Sequence, residues 1–349
     1  LYVQYYILVQ NKALKGGFGT FWEGGLYDFN NWTLDGKKFI LEICLKERFF
    51  MGLFSNLGKK KALLLGVSLL LGAALIGGCG GGGKTAGGGD KGNILYIGMS
   101  NAPDSFNPLF APGTAGNWTM RYIYATLLVQ SEANKFEASL ADSIDTTDNQ
   151  NYTIKLNPKA VWSDGKPITA DDVIFTLNTI ANPKVETTKG ARIYFLDGLS
   201  GVGKLPEGVA TIPDLKKVDD HTVTFKTKTP MDPTLVKAFL GYEVFIIPKH
   251  VFESVAPEKI ATSEFVTKPT VTSGPYKFVQ YKTNDYVELA ANENYLKGKP
   301  KIGKIFIRVM NGTNLVTELQ SGGIQLAASG GIGNVPIKDV ELLQKNDKL

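Results

Sequence analysis

The sequence predicts a mixed α/β fold with more than one lobe. Apolar and polar residues alternate at 152–156 and 222–227, as they do in half-buried strands. Apolar residues recur at helical spacing at 119–129 and 173–180, which predicts two helices. Because strands and helices alternate at irregular intervals, they indicate mixed sheets in more than one lobe.

Local chemistry predicts the ends of several elements. Thr169 precedes the second helix and Asp172 follows three positions later, which predicts a capping box. An apolar segment at 244–247 is ended by Pro248 and is interpreted as a short strand. The same criteria predict further strands at 94–99, 277–279, 286–290 and 305–309, and a helix at 315–320.

An export signal lies well inside the chain. Consecutive lysines precede a leucine-rich run at 62–76, which small residues and Cys79 follow. This order is that of a secretory signal, and the run is shorter than the roughly 20 residues of a membrane-spanning helix. Residues 75–79 (LIGGC) resemble the lipobox of bacterial lipoproteins. We therefore predict a signal peptide at 51–78 and lipidation of Cys79; a short membrane helix with an incidental cysteine is the alternative.

A glycine-rich tether is predicted at 79–92, between the lipid anchor and the folded part. Residues 78–85 also fit the phosphate-loop pattern G-x-x-x-x-G-K-[ST]. That loop binds phosphate only between a strand and a helix, whereas here it follows a signal peptide and leads into more glycine. We therefore expect no nucleotide and no other cofactor.

Residues 1–50 precede the signal, although a signal peptide belongs at the start of a chain. Residues 46–50 could be encoded by a purine-rich stretch of the ribosome-binding type. We predict that Met51 is the true start and that 1–50 are translated upstream DNA. The alternative is a small genuine cytoplasmic segment with aromatic residues such as Trp22 and Trp32.

Composition excludes several classes of function. The chain has two cysteines, Cys44 and Cys79, and two histidines, His221 and His250. If Cys79 carries lipid and Cys44 precedes the cleavage point, no disulfide or zinc cluster can form, so we expect no metal site. The net charge is +5 without a dense stripe of Lys and Arg, which argues against a nucleic-acid partner. No nucleophile–base pair is visible, and we expect no enzyme.

Several motifs in a fixed order carry a resemblance to a known family. They are SLADS at 139–143, AVWSDGKPITADD at 160–172, TSGPYKF at 272–278 and ELQSGGIQ at 318–325. The chain from about residue 94 to its end resembles the extracellular solute-binding proteins of family 5, the peptide- and nickel-type receptors of ABC importers. The aspartate–glycine turn and the capping residues of the second motif have local structural roles, so they are not read as catalytic.

The resemblance implies a type II, periplasmic-binding-protein-like fold that closes on its ligand by hinge motion and does no chemistry. It implies capture of short peptides outside the cytoplasmic membrane, delivery to an ABC permease complex, attachment to the membrane by lipid, and a monomer. Receptors of nickel chelates, oligosaccharides or opines in the same family are alternatives. A signalling or pheromone-binding lipoprotein that does not transport is another.

The resemblance also suggests ligand-binding residues. Matching Asn107 and Pro108 to the family's loop after the first strand brings four residues to the ligand backbone. A basic residue in the segment after the second helix could meet a ligand carboxylate, and a tyrosine there could stack or hydrogen-bond. The candidates are Pro112, Gly113, Thr114, Ala115, Lys189, Arg192 and Tyr194. For Lys189, Arg192 and Tyr194, a solvated loop residue is the alternative, and for Trp118 a place in the core is favoured over the cleft wall.

The resemblance further implies how 93–349 divides. A main lobe is expected at about 93–125 and 240–330, and a second, smaller lobe at about 126–239. Members of the family usually continue through a large additional domain, so 93–349 is expected to be the N-terminal part, with the C-terminal domain missing.

Overall fold

A computed structural model describes residues 93–110, 113–336, 339–340 and 343. It also describes the backbone of four short segments before residue 43. The signal peptide predicted at 51–78, the tether at 79–92 and Cys79 lie outside the described residues. The predictions on these segments and on 1–50 therefore stay predictions.

The described strands form two main sheets and two sheets of two strands each. In chain order, the strands are β1 (Leu8–Gln10), β2 (Leu14–Lys15), β3 (Thr33–Leu34), β4 (Ile40–Glu42), β5 (Ile94–Met99), β6 (Leu128–Glu132), β7 (Lys135–Ala138), β8 (Ala141–Thr146), β9 (Asn151–Leu156), β10 (Lys216–Asp219), β11 (Thr222–Lys226), β12 (Tyr276–Lys282), β13 (Tyr286–Ala291), β14 (Lys304–Val309) and β15 (Leu326–Ala327). The two-stranded sheets are β2-β3 and β6-β7.

The helices are short. The α-helices are α1 (Thr114–Ile123), α2 (Ala170–Ala181), α3 (Pro233–Val236), α4 (Lys249–Phe252) and α5 (Gly312–Ser321). Three 3₁₀ turns cover Lys189–Arg192, Pro257–Thr262 and Glu264–Val266, and a π-helical turn covers Lys237–Tyr242. None of the helices in the described part of the chain is long and apolar enough to cross a membrane.

The larger sheet has β5 in its interior. Its strand order is β12-β13-β14-β5-β15-β1-β4. β5 pairs in parallel with β14 on one side and with β15 on the other, while the outer pairs are antiparallel. Leu95, Ile97 and Met99 of β5 are fully buried, as expected for a strand covered on its inward face.

The smaller sheet is an antiparallel set with the order β10-β11-β9-β8. Ile154 on β9 lies opposite Ile144 and Val223, and all three are fully buried. The intervening positions are polar and less buried, which is the alternation that predicted a strand at 152–156. α2 packs against this sheet through β10 and β11.

The capping box predicted at the start of α2 is confirmed. The Asp172 carboxylate accepts a hydrogen bond from the Thr169 backbone N–H at 2.9 Å. Its second oxygen accepts from the backbone N–H of Lys249 at 2.9 Å, at the start of α4. One buried carboxylate therefore caps α2 and also holds α4 against it.

Two predicted elements are wrong, both because of contacts between distant segments. The helix predicted at 119–129 instead spans Thr114–Ile123. It ends there because the Ile123 carbonyl accepts hydrogen bonds from Ser273 and Gly274. Residues 244–247 form no strand: Phe245 makes a single bridge to Thr126.

The turn before β12 docks on the end of α1 through backbone alone. The Gly274 N–H donates to the Ile123 carbonyl at 2.8 Å. A Cβ at Gly274 would lie 2.6 Å from the Ile123 carbonyl carbon and 2.7 Å from the Tyr124 nitrogen. Because these neighbours are backbone atoms, they cannot move aside, and the glycine of the TSGPYKF motif is required by close approach.

We predict that Gly274→Ala lowers the free energy of unfolding by about 3 kcal/mol, because the methyl group must separate two backbone segments. Urea denaturation of the whole chain would measure the loss. The matched control is Gly201→Ala, since a Cβ at Gly201 would meet open space. Equal stability of the Gly274→Ala and Gly201→Ala proteins would contradict the role given to this turn.

Candidate functional site

The loop after β5 is held in a fixed path over its described part, residues 100–110. The Asn107 side chain is buried, and its amide donates to the Ile260 carbonyl at 3.1 Å while its oxygen accepts from the Leu109 N–H at 3.0 Å. The Leu109 carbonyl in turn accepts a hydrogen bond from the Thr187 hydroxyl. The loop after β5 is therefore tied to the segment that follows α2.

The predicted backbone-binding residues lie at the start of α1. Gly113 is the residue before the helix, and its N–H donates to the Asp104 carboxylate at 2.8 Å. Thr114 is exposed, whereas Ala115 is buried. The fourth candidate, Pro112, lies outside the described residues.

One stripe of α1 connects this loop to a group of charged residues. Thr114, Trp118 and Arg121 are four and three positions apart, so they share a face of the helix. The Trp118 side chain is mostly buried, and its indole N–H donates to the Ser329 hydroxyl at 3.0 Å. Trp118 is thus mainly a core residue, about one helical turn before Arg121.

The predicted basic residues lie in the 3₁₀ turn Lys189–Arg192. The path to this turn is fixed by Lys204, whose ammonium donates to the carbonyls of Ile180, Asn182 and Val185 at 2.8, 3.0 and 2.6 Å. These hydrogen bonds satisfy backbone oxygens at the end of α2. The hydrogen bonds of Lys204 therefore fix the loop that leads from α2 to this 3₁₀ turn.

Lys189 and Arg192 meet at one residue, Glu243. The Arg192 guanidinium forms an ion pair with the Glu243 carboxylate. The Lys189 ammonium donates to the Glu243 backbone carbonyl at 3.2 Å. The structure thus brings two of the predicted residues together, around a carboxylate that the sequence did not single out.

Aromatic rings support the cations. The Arg121 guanidinium lies 4.3 Å from the centroid of the Tyr242 ring. Arg121 and Lys189 each lie 5.9 Å from the centroid of the Phe245 ring. The Arg192 guanidinium lies 5.4 Å from the ring of Phe239. Cation–π contacts of this kind hold positive charge beside apolar surface.

We call Arg121, Lys189 and Arg192, with Glu243, the basic cluster. It holds three cations and one carboxylate. Burial lowers the pKa of Lys189 from 10.5 to about 8. The Glu243 charge opposes this shift in the Lys189 pKa, while Arg121 and Arg192 add to it. The cluster is therefore an electrostatic environment that favours a further negative charge.

Tyr194 is separate from these contacts. Its side chain is exposed, and its ring lies edge-on to Phe195 at 5.9 Å. Its backbone carbonyl accepts from the Lys228 ammonium. The structure records no contact between the Tyr194 ring and the basic cluster among the described residues, so a ligand role for Tyr194 stays a prediction.

Sequence reasoning missed Arg121 and Glu243. A signal for Glu243 was present, because it is the single charge in the apolar run at 238–247. A charge in such a run is expected to have a partner of opposite sign. Arg121 gave a weaker signal, since a single arginine on a helix is usually exposed to solvent.

A concave surface lies on the smaller sheet, and none of the predicted residues line it. It is an open groove of about 560 Å³. Asp145, Thr153, Thr224 and Lys216 line it and lie in register across the four strands. Within the described part of the chain, no group of three or more His, Cys, Asp or Glu side chains is placed to hold a metal ion.

Comparison with known proteins gives consistent matches. Residues 135–348 match the family described as "Bacterial extracellular solute-binding proteins, family 5 Middle". The oligopeptide-binding protein AppA of Bacillus subtilis is 30% identical over 261 residues. Its structure in complex with a nonapeptide has a TM-score of 0.62 over 73% of this chain. The substrate-binding protein CtaP of Listeria monocytogenes is 33% identical, with a TM-score of 0.61 over 73% of this chain.

The matches cover part of each relative. The chain spans 44% of the AppA sequence and 47% of the CtaP structure. It spans 40% of the Brucella ovis relative that it also matches. The predicted α/β fold of the type II, periplasmic-binding-protein-like kind is confirmed by the structural matches.

We predict that the Lys189 ammonium titrates at about pH 8 and that its two charged neighbours move this pKa in opposite directions. Arg121→Gln should raise the Lys189 pKa because a repelling charge is lost, and Glu243→Gln should lower it because an attracting charge is lost. NMR titration of ¹³C-dimethylated lysines would measure both shifts, with Lys189→Gln assigning the signal.

The control is Arg308→Gln, because Arg308 pairs with Glu318 on α5 and has no contact with the cluster. It should leave the Lys189 titration unchanged. A Lys189 pKa near 10.5 in the unsubstituted protein would contradict the described burial.

Proposed function

Because the chain belongs to the bacterial extracellular solute-binding proteins of family 5, we propose that it serves an ABC importer by capturing short peptides outside the cytoplasm. The captured peptide is passed to the membrane permease of that importer. The protein binds and releases its ligand without changing it. The relatives named for oligopeptide binding favour peptides over the other solutes of the family.

The arrangement along α1 is the observation that carries this proposal. A peptide has a polar backbone and ends in a carboxylate, and α1 joins a loop with an exposed backbone at Gly113 to the cations of the basic cluster. Thr114 and Arg121 are separated by about 10 Å along the helix axis. An extended peptide of three residues covers about the same distance.

In this proposal the start of α1 and the basic cluster bind different parts of the peptide. The exposed start of α1 at Gly113 and Thr114 contacts the peptide backbone, for which small residues leave room. Lys189 and Arg192 attract the terminal carboxylate, and the aromatic rings beneath the cations limit their motion. Burial of Lys189 strengthens this attraction, since charges interact more strongly where water is partly excluded.

We further propose that lipid on Cys79 attaches the protein to the extracytoplasmic face of the membrane. The order of basic, apolar and small residues before Cys79 supports this. A lipid anchor with a glycine-rich tether keeps the binding protein close to its permease, which raises the effective concentration of the loaded form.

We predict that peptides stabilise the protein against heat and that the basic residues are needed for this. The probe is an equimolar mixture of alanine–glycine peptides of three to nine residues. Lys189→Ala and Arg192→Ala should each weaken binding about tenfold, the usual effect of losing one charge-assisted hydrogen bond. Peptide titrations followed by thermal shift and native mass spectrometry would measure it.

The control for both variants is Lys159→Ala, because Lys159 is exposed in the turn after β9, on the smaller sheet. It should bind the mixture as the unsubstituted protein does. Unchanged affinity in both Lys189→Ala and Arg192→Ala would remove these residues from the site, and absence of peptide binding altogether would contradict the proposed function.

We predict that Cys79→Ala leaves an unprocessed precursor in bacterial cells, because the thiol that accepts the lipid is lost. Electrophoretic mobility and partition into a detergent phase would detect the change. Ser68→Ala, within the apolar run of the signal, is the matched control and should mature normally. Normal maturation of Cys79→Ala would refute the lipobox.

A further inference from the structure

Glu243 supplies the one carboxylate of the basic cluster. Its carboxylate is the acidic partner of Arg192, and its charge also acts on Lys189 in the same turn; Arg121 of α1 acts on Lys189 as well. We propose that Glu243 is an internal stand-in for the ligand, and that the carboxyl terminus of a bound peptide replaces its side chain. This inference rests on the proposed function.

Charge balance is the first argument. The cluster holds the cations Arg121, Lys189 and Arg192 and the one carboxylate of Glu243, so it keeps positive charge after Glu243 pairs with Arg192. Among the residues that the structure describes, no carboxylate pairs with Arg121, whose recorded contacts are the faces of two aromatic rings. A guanidinium held by its face retains its N–H edges for an anion.

Access is the second argument. The side chains of Arg192 and Glu243 are 39% and 34% exposed, so water and solutes reach their ion pair. A pair at this level of exposure is weak, typically about 1 kcal/mol or less, and can exchange one carboxylate for another. The cluster is thus neither sealed in the core nor fully hydrated.

The backbone contact of Lys189 is the third argument. Lys189 donates to the main-chain carbonyl of Glu243 and not to its carboxylate. When the Glu243 side chain rotates away, Lys189 therefore keeps its anchor, and only the bond to Arg192 is released. The cations stay in place while the internal carboxylate leaves.

The exchange makes Arg121 a specificity-determining residue. It has no internal carboxylate to release, so it gains a partner only when the ligand brings a negative group. The site is expected to select peptides with a free terminal carboxylate over peptides that end in an amide. A peptide that ends in a neutral amide cannot replace the Glu243 carboxylate, because the cations would then have no counter-charge.

The experiment compares two ligand mixtures on the whole chain at pH 6.5. One is the alanine–glycine peptide mixture with free carboxylates, and the other is the same mixture as terminal amides. Glu243→Gln should bind the free-carboxylate mixture about tenfold more tightly, and Arg121→Gln about tenfold more weakly. Binding of the amide mixture should change in neither variant.

Glu318→Gln is a closely matched control. It removes a carboxylate paired with an arginine at 2.8 Å, with side chains 32% and 39% exposed, on α5 and β14. It should bind both mixtures as the unsubstituted protein does. If Glu243→Gln binds the free-carboxylate mixture no better than the unsubstituted protein, the inference is overturned.

A second probe separates this inference from the proposed function. Sodium formate supplies a carboxylate without a peptide, and ¹⁵N signals of the Arg121 and Arg192 guanidinium groups report its binding. Glu243→Gln should saturate at a formate concentration about tenfold lower than the unsubstituted protein. If no peptide binds but Glu243→Gln still saturates at the lower formate concentration, the proposed function is wrong. The inference that Glu243 fills the place of a ligand carboxylate is then retained. If both proteins saturate at the same formate concentration, Glu243 does not fill the place of a ligand carboxylate and the inference is overturned.

Discussion

The parallel pairing of β5 with β14 and β15 is the constraint on which the rest of the structure depends. Parallel neighbours cannot be joined by a tight turn, so the chain must leave the sheet after β5 and return much later. The excursion contains the smaller sheet and α2. Gly98 of β5 leaves room for Ile324, since a Cβ there would approach its Cδ1 to 2.5 Å. The second sheet lies within the connection that the first one requires.

The chain leaves the larger sheet and returns to it at the same place, the end of α1. There the Ile123 carbonyl receives the turn at Gly274, and Thr126 meets Phe245. The basic cluster lies in the same region because Arg121, two residues before the end of α1, contacts Tyr242 and Phe245. The charged residues of the candidate site are therefore held by the same contacts that join the two parts of the fold.

Elements defined by local chemistry could be predicted, and those defined by distant partners could not. The first strand at Ile94–Met99 and the capping box of Thr169 and Asp172 follow from neighbouring residues alone. The end of α1 depends on Gly274, which is far away in sequence. The site divides in the same way. A resemblance indicated Lys189 and Arg192, but their carboxylate partner lies 51 residues beyond Arg192, and no spacing rule connects the two.

The interior position of β5 also sets the order of events during synthesis. Contacts of the strand and its start reach residues more than 200 positions later in the chain. At about 5–20 residues per second, a ribosome needs roughly 10–40 s to supply those partners. Throughout that interval the strand emerges with both edges unpaired. A nascent chain in this state stays accessible to chaperones and to a secretion channel, so late completion of the sheet is compatible with transport of the unfolded polypeptide.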